Sequence, residues 1–203
     1  MDKIEFIRNH IEKLDINISE EQCCQFLKYY EMLVEKNKVM NLTGITEFEE
    51  VVEKHFVDSL SLVKSIKLNG DESLIDVGTG AGFPGIPIKI MFPNLKITLM
   101  DSLNKRLLFL NEVTNKLGLD KIELVHGRAE DLGKNSNYRE KYDLCVSGFH
   151  SQPVLMSLYS VLHPFRWKVH FPESDHRREV RYHIHILLPF PELAFLSHRP
   201  WQA

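Results

Sequence analysis

The stretch Leu74-Ile75-Asp76-Val77-Gly78-Thr79-Gly80-Ala81-Gly82-Phe83-Pro84-Gly85 constrains the fold of this chain more than any other segment. A short apolar run of strand length ends in four glycines within eight residues. Glycine lets a backbone turn sharply and come close to a ligand. A turn that only joins a strand to a helix has no use for so many. The segments that follow alternate in character. Ser73–Val77 and Lys96–Met100 read as strands, Asn104–Leu117 as a helix, and Ile122–Val125 and Asp143–Val146 as further strands. Strand and helix alternating at this spacing predict a parallel sheet with helices on its faces. Ahead of the sheet, Ile4, Ile7, Ile11 and Leu14 recur at helical spacing. Ser19 and Gln22 have the form of a capping box that opens a second helix, with Phe26, Tyr29, Leu33 and Val34 inward. A third helical stretch covers roughly 47–66. The expected architecture is doubly wound α/β with an N-terminal helical extension.

Two kinds of ligand compete for the glycine loop. Gly80-x-Gly82-x-x-Gly85, with Asp101 about 20 residues on, formally satisfies the dinucleotide fingerprint. Pro84, however, removes an N–H where a pyrophosphate wants donors, and Phe83 puts bulk where phosphates must approach. Asp76 sets a carboxylate just ahead of the loop, which repels an anion and suits a cation. S-adenosylmethionine carries a sulfonium, an ammonium and no phosphate, and its ribose hydroxyls want an acidic acceptor. Asp101, at the end of the second strand, is the candidate for that acceptor. These residues favour the methyl donor over NAD. Glu130 and Asp131, which follow the third strand, fit either contact with an adenine or an acidic pair facing a helix dipole, and spacing does not choose between them.

Hydrophobic residues make up 43% and charged residues 26% of the 203, enough for a substantial core. The net charge of −3 gives no nucleic-acid coat, so an RNA partner has to be held by a local basic patch. Cys23, Cys24 and Cys145 form neither a metal-ligand pattern nor a disulfide framework, and His183 and His185 alone make no metal site. That cysteine usage fits a reducing compartment. Met1-Asp2-Lys3-Ile4-Glu5 puts charges where a signal peptide needs an apolar run. The longest stretch free of Asp, Glu, Lys and Arg, Leu144–Phe165, holds His150, Gln152, His163 and two prolines, unsuited to a membrane span. A cytoplasmic protein is expected, with no membrane partner.

The segment Asp76-Val77-Gly78-Thr79-Gly80-Ala81-Gly82-Phe83-Pro84-Gly85-Ile86-Pro87 resembles the first motif of the RsmG proteins, also called GidB. Asn41-Leu42-Thr43, the stretch His55-Phe56-Val57-Asp58-Ser59-Leu60, Asp101-Ser102 with Lys105-Arg106, and Gly127-Arg128-Ala129-Glu130 are similar to further motifs of that family, in order. The likeness covers roughly residues 1–147. It implies a Rossmann-like, S-adenosylmethionine-dependent methyltransferase acting on N7 of a guanine in the 530 loop of 16S ribosomal RNA, within the 30S subunit. It also implies that Gly78, Phe83, Ala129 and Glu130 line the donor pocket, with Asp101 at the ribose. Asp76, Gly80 and Gly82 complete the expected cofactor-binding set. Guanine N7 has an in-plane lone pair and no proton to lose, so methyl transfer to it needs no general base. What remains for the protein is positioning, charge placement and exclusion of water. No catalytic side chain and no metal are therefore expected.

On the substrate side the candidates are Asn41, His55, Asp58, Lys105 and Arg106, with Lys36 and Lys38 as further phosphate contacts. Each also has a plain structural use. Asn41 suits a turn cap, His55 and Asp58 suit a hydrogen-bonded pair fixing their helix to the sheet, and the basic residues suit a solvated face. Cys145, in a strand, reads as a buried structural thiol.

The likeness stops where the composition changes. After Ser147 the family continues Arg-Ala, with that arginine in the donor or substrate site, whereas this chain has Gly148. None of the ten glycines lies beyond Gly148, while seven of ten histidines, six of nine prolines and both tryptophans lie from there onward. Residues 1–147 hold 15 Lys and 4 Arg, and 148–203 hold 1 Lys and 5 Arg, with net charges of −5 and +2. Several signals switching at one position imply a change of reading frame relative to an ancestral gene, since gradual divergence would erode a match without switching composition. In the tail, Leu155–Leu162 is expected as a helix and Tyr182–Leu188 as a strand, the remainder as poorly packed, with the sheet edge left open. The expected organisation is a helical region over 1–68, a donor-binding α/β core over 69–147 and an atypical tail over 148–203. Alternatives to an active methyltransferase are a methyl-donor-binding module without catalysis and an NAD-binding oxidoreductase.

Overall fold

The computed structural model describes residues 2–62, 68, 70–139, 141–147, 168–170 and 185–188. Helix α1, Lys3–Glu12, buries Ile7 and Ile11 completely. Helix α2, Glu20–Met40, opens on the expected capping box: Gln22 N–H donates to Ser19 Oγ at 3.1 Å and Ser19 N–H to Gln22 Oε1 at 2.9 Å. Its spacing turns Phe26, Tyr29 and Leu33 fully inward, while Val34 is only half-buried. The third helical stretch is α3, Phe48–Val51, then a π-helical segment, Val52–Val57, then α4, Asp58–Ser61. Residues 63–67 lie outside the described residues.

Among the described residues six strands form one sheet: β1 Ser73–Val77, β2 Lys96–Asp101, β3 Ile122–His126, β4 Leu144–Ser147, β5 Lys168–His170 and β6 His185–Leu188. Their order is β3-β2-β1-β4-β6-β5, with the first four parallel. Helix α5, Gly85–Met91, follows the glycine loop, α6, Asn104–Leu117, follows β2, and the short α7, Ala129–Leu132, follows β3. Alternation along the strands divides the core. Leu74, Ile97, Leu99, Leu144 and Val146 join the large cluster built with α1 to α6, while Ile75, Val77, Met100, Val125 and Cys145 pack on the other face. Both faces of β1 and β4 are covered, which is why these strands read as continuous apolar runs.

The sheet edge expected to stay open beside β4 is paired. Strand β6 runs antiparallel to β4, with Cys145 opposite Leu187 and Ser147 opposite His185, and β5 pairs with β6 in turn. The partner falls within the expected strand Tyr182–Leu188; the helix expected over Leu155–Leu162 lies outside the described residues. Unpaired backbone groups at an edge take any extended segment that reaches them, so an atypical tail still completes the ladder. No helix among the described residues is long and apolar enough to cross a membrane.

Candidate functional site

The glycine loop begins where β1 ends. Gly78 and Thr79 both donate their N–H to Met100 O on β2, at 2.8 and 2.9 Å, and the chain then curls back on itself. Gly82 N–H and Phe83 N–H donate to Thr79 O at 2.8 and 3.0 Å, and Gly80 N–H donates to Asp101 Oδ2 at 2.9 Å. Gly78, Gly80 and Gly82 take φ values of 73°, 61° and 109°, a region that side chains bearing a Cβ rarely adopt. At Gly82 a Cβ would also stand 2.7–2.8 Å from Ile86, Leu110 and Tyr29.

At the carboxyl ends of β1, β2 and β3 a cleft of about 280 Å³ opens beside this loop. Val77 and Gly78 from the end of β1, Met100 and Ser102 from β2 and just beyond it, and Gly127, Arg128, Ala129 and Glu130 from the segment after β3 line it. Of the expected donor-pocket residues, Gly78, Ala129 and Glu130 line it. Glu130 and Asp131 both sit in the first turn of α7, and of the two Glu130 lines the cleft.

Asp101, at the end of β2, is 1% exposed and does not itself line the cleft. Its Oδ2 accepts from Gly80 N–H, its Oδ1 from Leu103 N–H at 2.8 Å, and Arg106 Nη1 pairs with Oδ2 at 3.2 Å. Arg106, expected among the phosphate contacts, is thus turned onto Asp101, because its position one turn into α6 brings the guanidinium back over the strand end. Lys105 is exposed on the same helix.

Asp76 does not line the cleft. It is fully buried beneath the loop, where Oδ2 accepts from Thr79 Oγ1 at 2.7 Å and from Gly85 N–H at 2.9 Å. Its Oδ1 has no hydrogen-bond partner among the described residues. Burial pushes the Asp76 carboxyl up to about 7, opposed by the bonds from Thr79 and Gly85. The expected cation-facing carboxylate is instead a clasp that fastens the loop to α5. Alternation along β1 sends its side chain to the helix-covered face, away from the strand ends.

Thr43, His55 and Phe83 gather on the loop's other flank, while Asn41 is exposed at the end of α2. Asn41 caps α2 at φ 47°, leading into Thr43, whose Oγ1 lies 2.9 Å from His55 Nε2. The His55 ring stacks on Phe83, with centroids 4.5 Å apart and planes at 15°. Burial pushes His55 down to about 4, so it is neutral at physiological pH. It also pushes Asp58, one turn further on, up to about 6. His55 lies within the π-helical segment, an irregularity often found at functional sites. Thr43 and Tyr29 were not singled out as site residues from sequence: a lone threonine and an inward tyrosine carry no signal of their own. Among the described residues no group of three His, Cys, Asp or Glu is placed to hold a metal.

A parallel β3-β2-β1-β4 sheet, a curled glycine loop after its first strand and a carboxylate at the end of its second make up the Rossmann-like fold of S-adenosylmethionine-dependent methyltransferases. Within that class, residues 22–158 match the family described as GidB, rRNA small subunit methyltransferase G, and the chain belongs to it. The match runs past Gly148, beyond the point where the composition switches. Over 122 residues the chain is 64% identical to the ribosomal RNA small subunit methyltransferase G of Thermoanaerobacter sp. (strain X514), covering 60% of this chain and 51% of that protein. Over 137 residues it is 53% identical to the protein of the same name from Lachnoclostridium phytofermentans, covering 68% and 57%. The chain spans about half the length of the curated relatives it matches. A precorrin-6y C5,15-methyltransferase from Geobacter metallireducens GS-15 superposes with a TM-score of 0.47 at 14% identity, over 75% of this chain and 91% of that one.

Proposed function

We propose that this chain binds S-adenosylmethionine in the cleft and methylates N7 of a guanine in the 530 loop of 16S ribosomal RNA, working in the cytoplasm on the 30S subunit. One observation carries the choice of cofactor. The loop amides of Gly78, Thr79, Gly80, Gly82, Phe83 and Gly85 are all spent on acceptors inside the protein, and Pro84 has none. A pyrophosphate would find no cradle of free N–H groups here. The cleft wall carries the Glu130 carboxylate beside Arg128, and the buried Asp101 at the end of β2 holds the loop through Gly80 N–H, where an acidic residue that reads a ribose is expected.

When bound, S-adenosylmethionine supplies an electrophilic methyl group. Gly78, Ala129 and Glu130 would hold it in the cleft, with Asp101 fixing the loop beside them, and Phe83, braced by the His55 ring, would stand on the loop's other flank as a contact for a base. Neutral His55 adds no charge there. No side chain has to take a proton, because guanine N7 has none to give. Isothermal titration with S-adenosylmethionine and with NAD tests the cofactor, and methyl transfer to purified 30S particles tests the reaction. Binding of NAD alone would overturn the assignment.

A second reading, donor binding without turnover, is favoured by Gly148, which stands where the family carries an arginine. In that case titration gives heat while 30S particles stay unmethylated. The proposed frame change from about residue 148 has its own check: translating the coding DNA past codon 147 in the other two frames should yield Arg-Ala followed by a glycine-bearing strand pattern. If neither frame does, the tail is an authentic element.

Asp101→Ala is expected to weaken S-adenosylmethionine binding roughly tenfold or more, the loss that goes with one to two hydrogen bonds to a charged group. An unchanged dissociation constant in a folded variant would take Asp101 out of the site.

A further inference from the structure

We infer that Tyr29, on the N-terminal helix α2, is a positioning residue for the glycine loop and, through it, for the methyl donor. The second half of this inference rests on the cofactor assignment above. Tyr29 is fully buried, and its hydroxyl donates to Ala81 O, at the crest of the loop, at 2.7 Å. Its ring stacks on Phe56, with centroids 5.7 Å apart, and lies 5.4 Å from Phe83. The same hydroxyl would stand 2.8 Å from a Cβ on Gly82. One side chain from outside the α/β body thus touches Ala81, Gly82 and Phe83 in succession.

The need for such a brace follows from the loop's composition. Three of its residues are glycines in left-handed conformation, the backbone that loses the most freedom on ordering. A loop held in its binding shape beforehand spares that cost when a ligand arrives. Helix α2 is itself anchored to the body, since Gln22 Nε2 donates to Ile90 O at 2.8 Å and Gln25 Nε2 to Leu117 O at 2.9 Å. Burial and the nearby Asp76 carboxylate hold the Tyr29 phenol well above its ordinary range, so it stays a donor at every working pH. The N-terminal helices thereby take part in donor binding while contributing no residue to the cleft wall.

The test compares Tyr29→Phe, which keeps the ring and removes the hydroxyl, with Phe56→Leu, which thins the same aromatic packing and leaves the hydroxyl in place. Tyr29→Phe should raise the S-adenosylmethionine dissociation constant on the order of tenfold, the loss expected for a buried hydrogen bond whose acceptor stays behind. Its melting temperature should fall by only a few degrees, and hydrogen exchange in the peptide covering 78–85 should quicken while β2 and β4 keep their protection. Phe56→Leu should melt earlier and keep its donor affinity. The inference is overturned if Tyr29→Phe leaves loop exchange and affinity unchanged, or if Phe56→Leu loses affinity in proportion to its stability. Should Tyr29→Phe fail to fold, the Phe56→Leu result decides alone. A wild-type chain that binds no S-adenosylmethionine overturns the cofactor assignment and the donor half of the inference, while loop exchange still decides whether Tyr29 braces the loop.

Discussion

Gly85→Ala should lower the stability of this protein by about 2–6 kcal/mol, combining the cost of overpacking a full core with the loss of a buried hydrogen bond. A Cβ at Gly85 would lie 2.3 Å from Leu99 Cδ2 and 2.8 Å from Asp76 Oδ2. Leu99 is fully buried in the middle of β2, so it has no space into which to retreat. Displacing Asp76 would break its bond from Gly85 N–H, which fixes the start of α5 to β1. Against a typical total of about 5–15 kcal/mol, this is enough to leave a large unfolded fraction near body temperature. Urea unfolding followed by circular dichroism measures it, and an unshifted midpoint would show that β1 and α5 are less tightly apposed than these distances require.

Asp76→Asn should change how stability depends on pH. In the unfolded chain the Asp76 carboxyl ionises near 3.8, whereas in the fold burial pushes it up to about 7. The unfolded state therefore sheds its proton first, and this group removes stability as pH rises from about 4 to about 7. At roughly 1.4 kcal/mol for each tenfold change in proton concentration across that range, the loss approaches 4 kcal/mol as an upper bound. Asp58, raised to about 6, acts in the same direction over a shorter range. His55 acts oppositely: its folded value of about 4 lies below the ordinary 6.5, so its contribution is lost as pH falls from about 6.5 to about 4. Subtracting wild type from Asp76→Asn isolates the first group. The difference should move in the variant's favour up to about pH 7 and then level off; a difference independent of pH would mean that Asp76 titrates as an ordinary carboxylate.

Much of the α/β frame was readable from local pattern. Strands β1 to β4 lie within one residue of their expected ends, because β1, β2 and β4 are buried along nearly their whole length and the edge strand β3 mixes buried, half-buried and exposed residues. The Ser19–Gln22 capping box is equally local, with both bonds formed across three residues. Glycine density at 78–85 announced a turn through left-handed backbone, which needs glycine whatever surrounds it.

Other features depend on partners far apart in sequence, and periodicity carries no information about them. Tyr29 was legible as an inward residue, but its bond to Ala81 spans 52 positions. The third helical stretch was legible as a helix, yet the π-helical segment that seats His55 against Thr43 and Phe83 was not, because apolar spacing does not register one widened turn. Asp76 and Asp101 look alike as acidic residues at strand ends. Side-chain alternation buries the first beneath the loop, while the second, just as buried at the end of β2, accepts from Gly80 and Leu103 N–H and pairs with Arg106. The upward push on the Asp76 carboxyl comes from burial, which exists only once helices α2, α5 and α6 have closed over one face of the sheet.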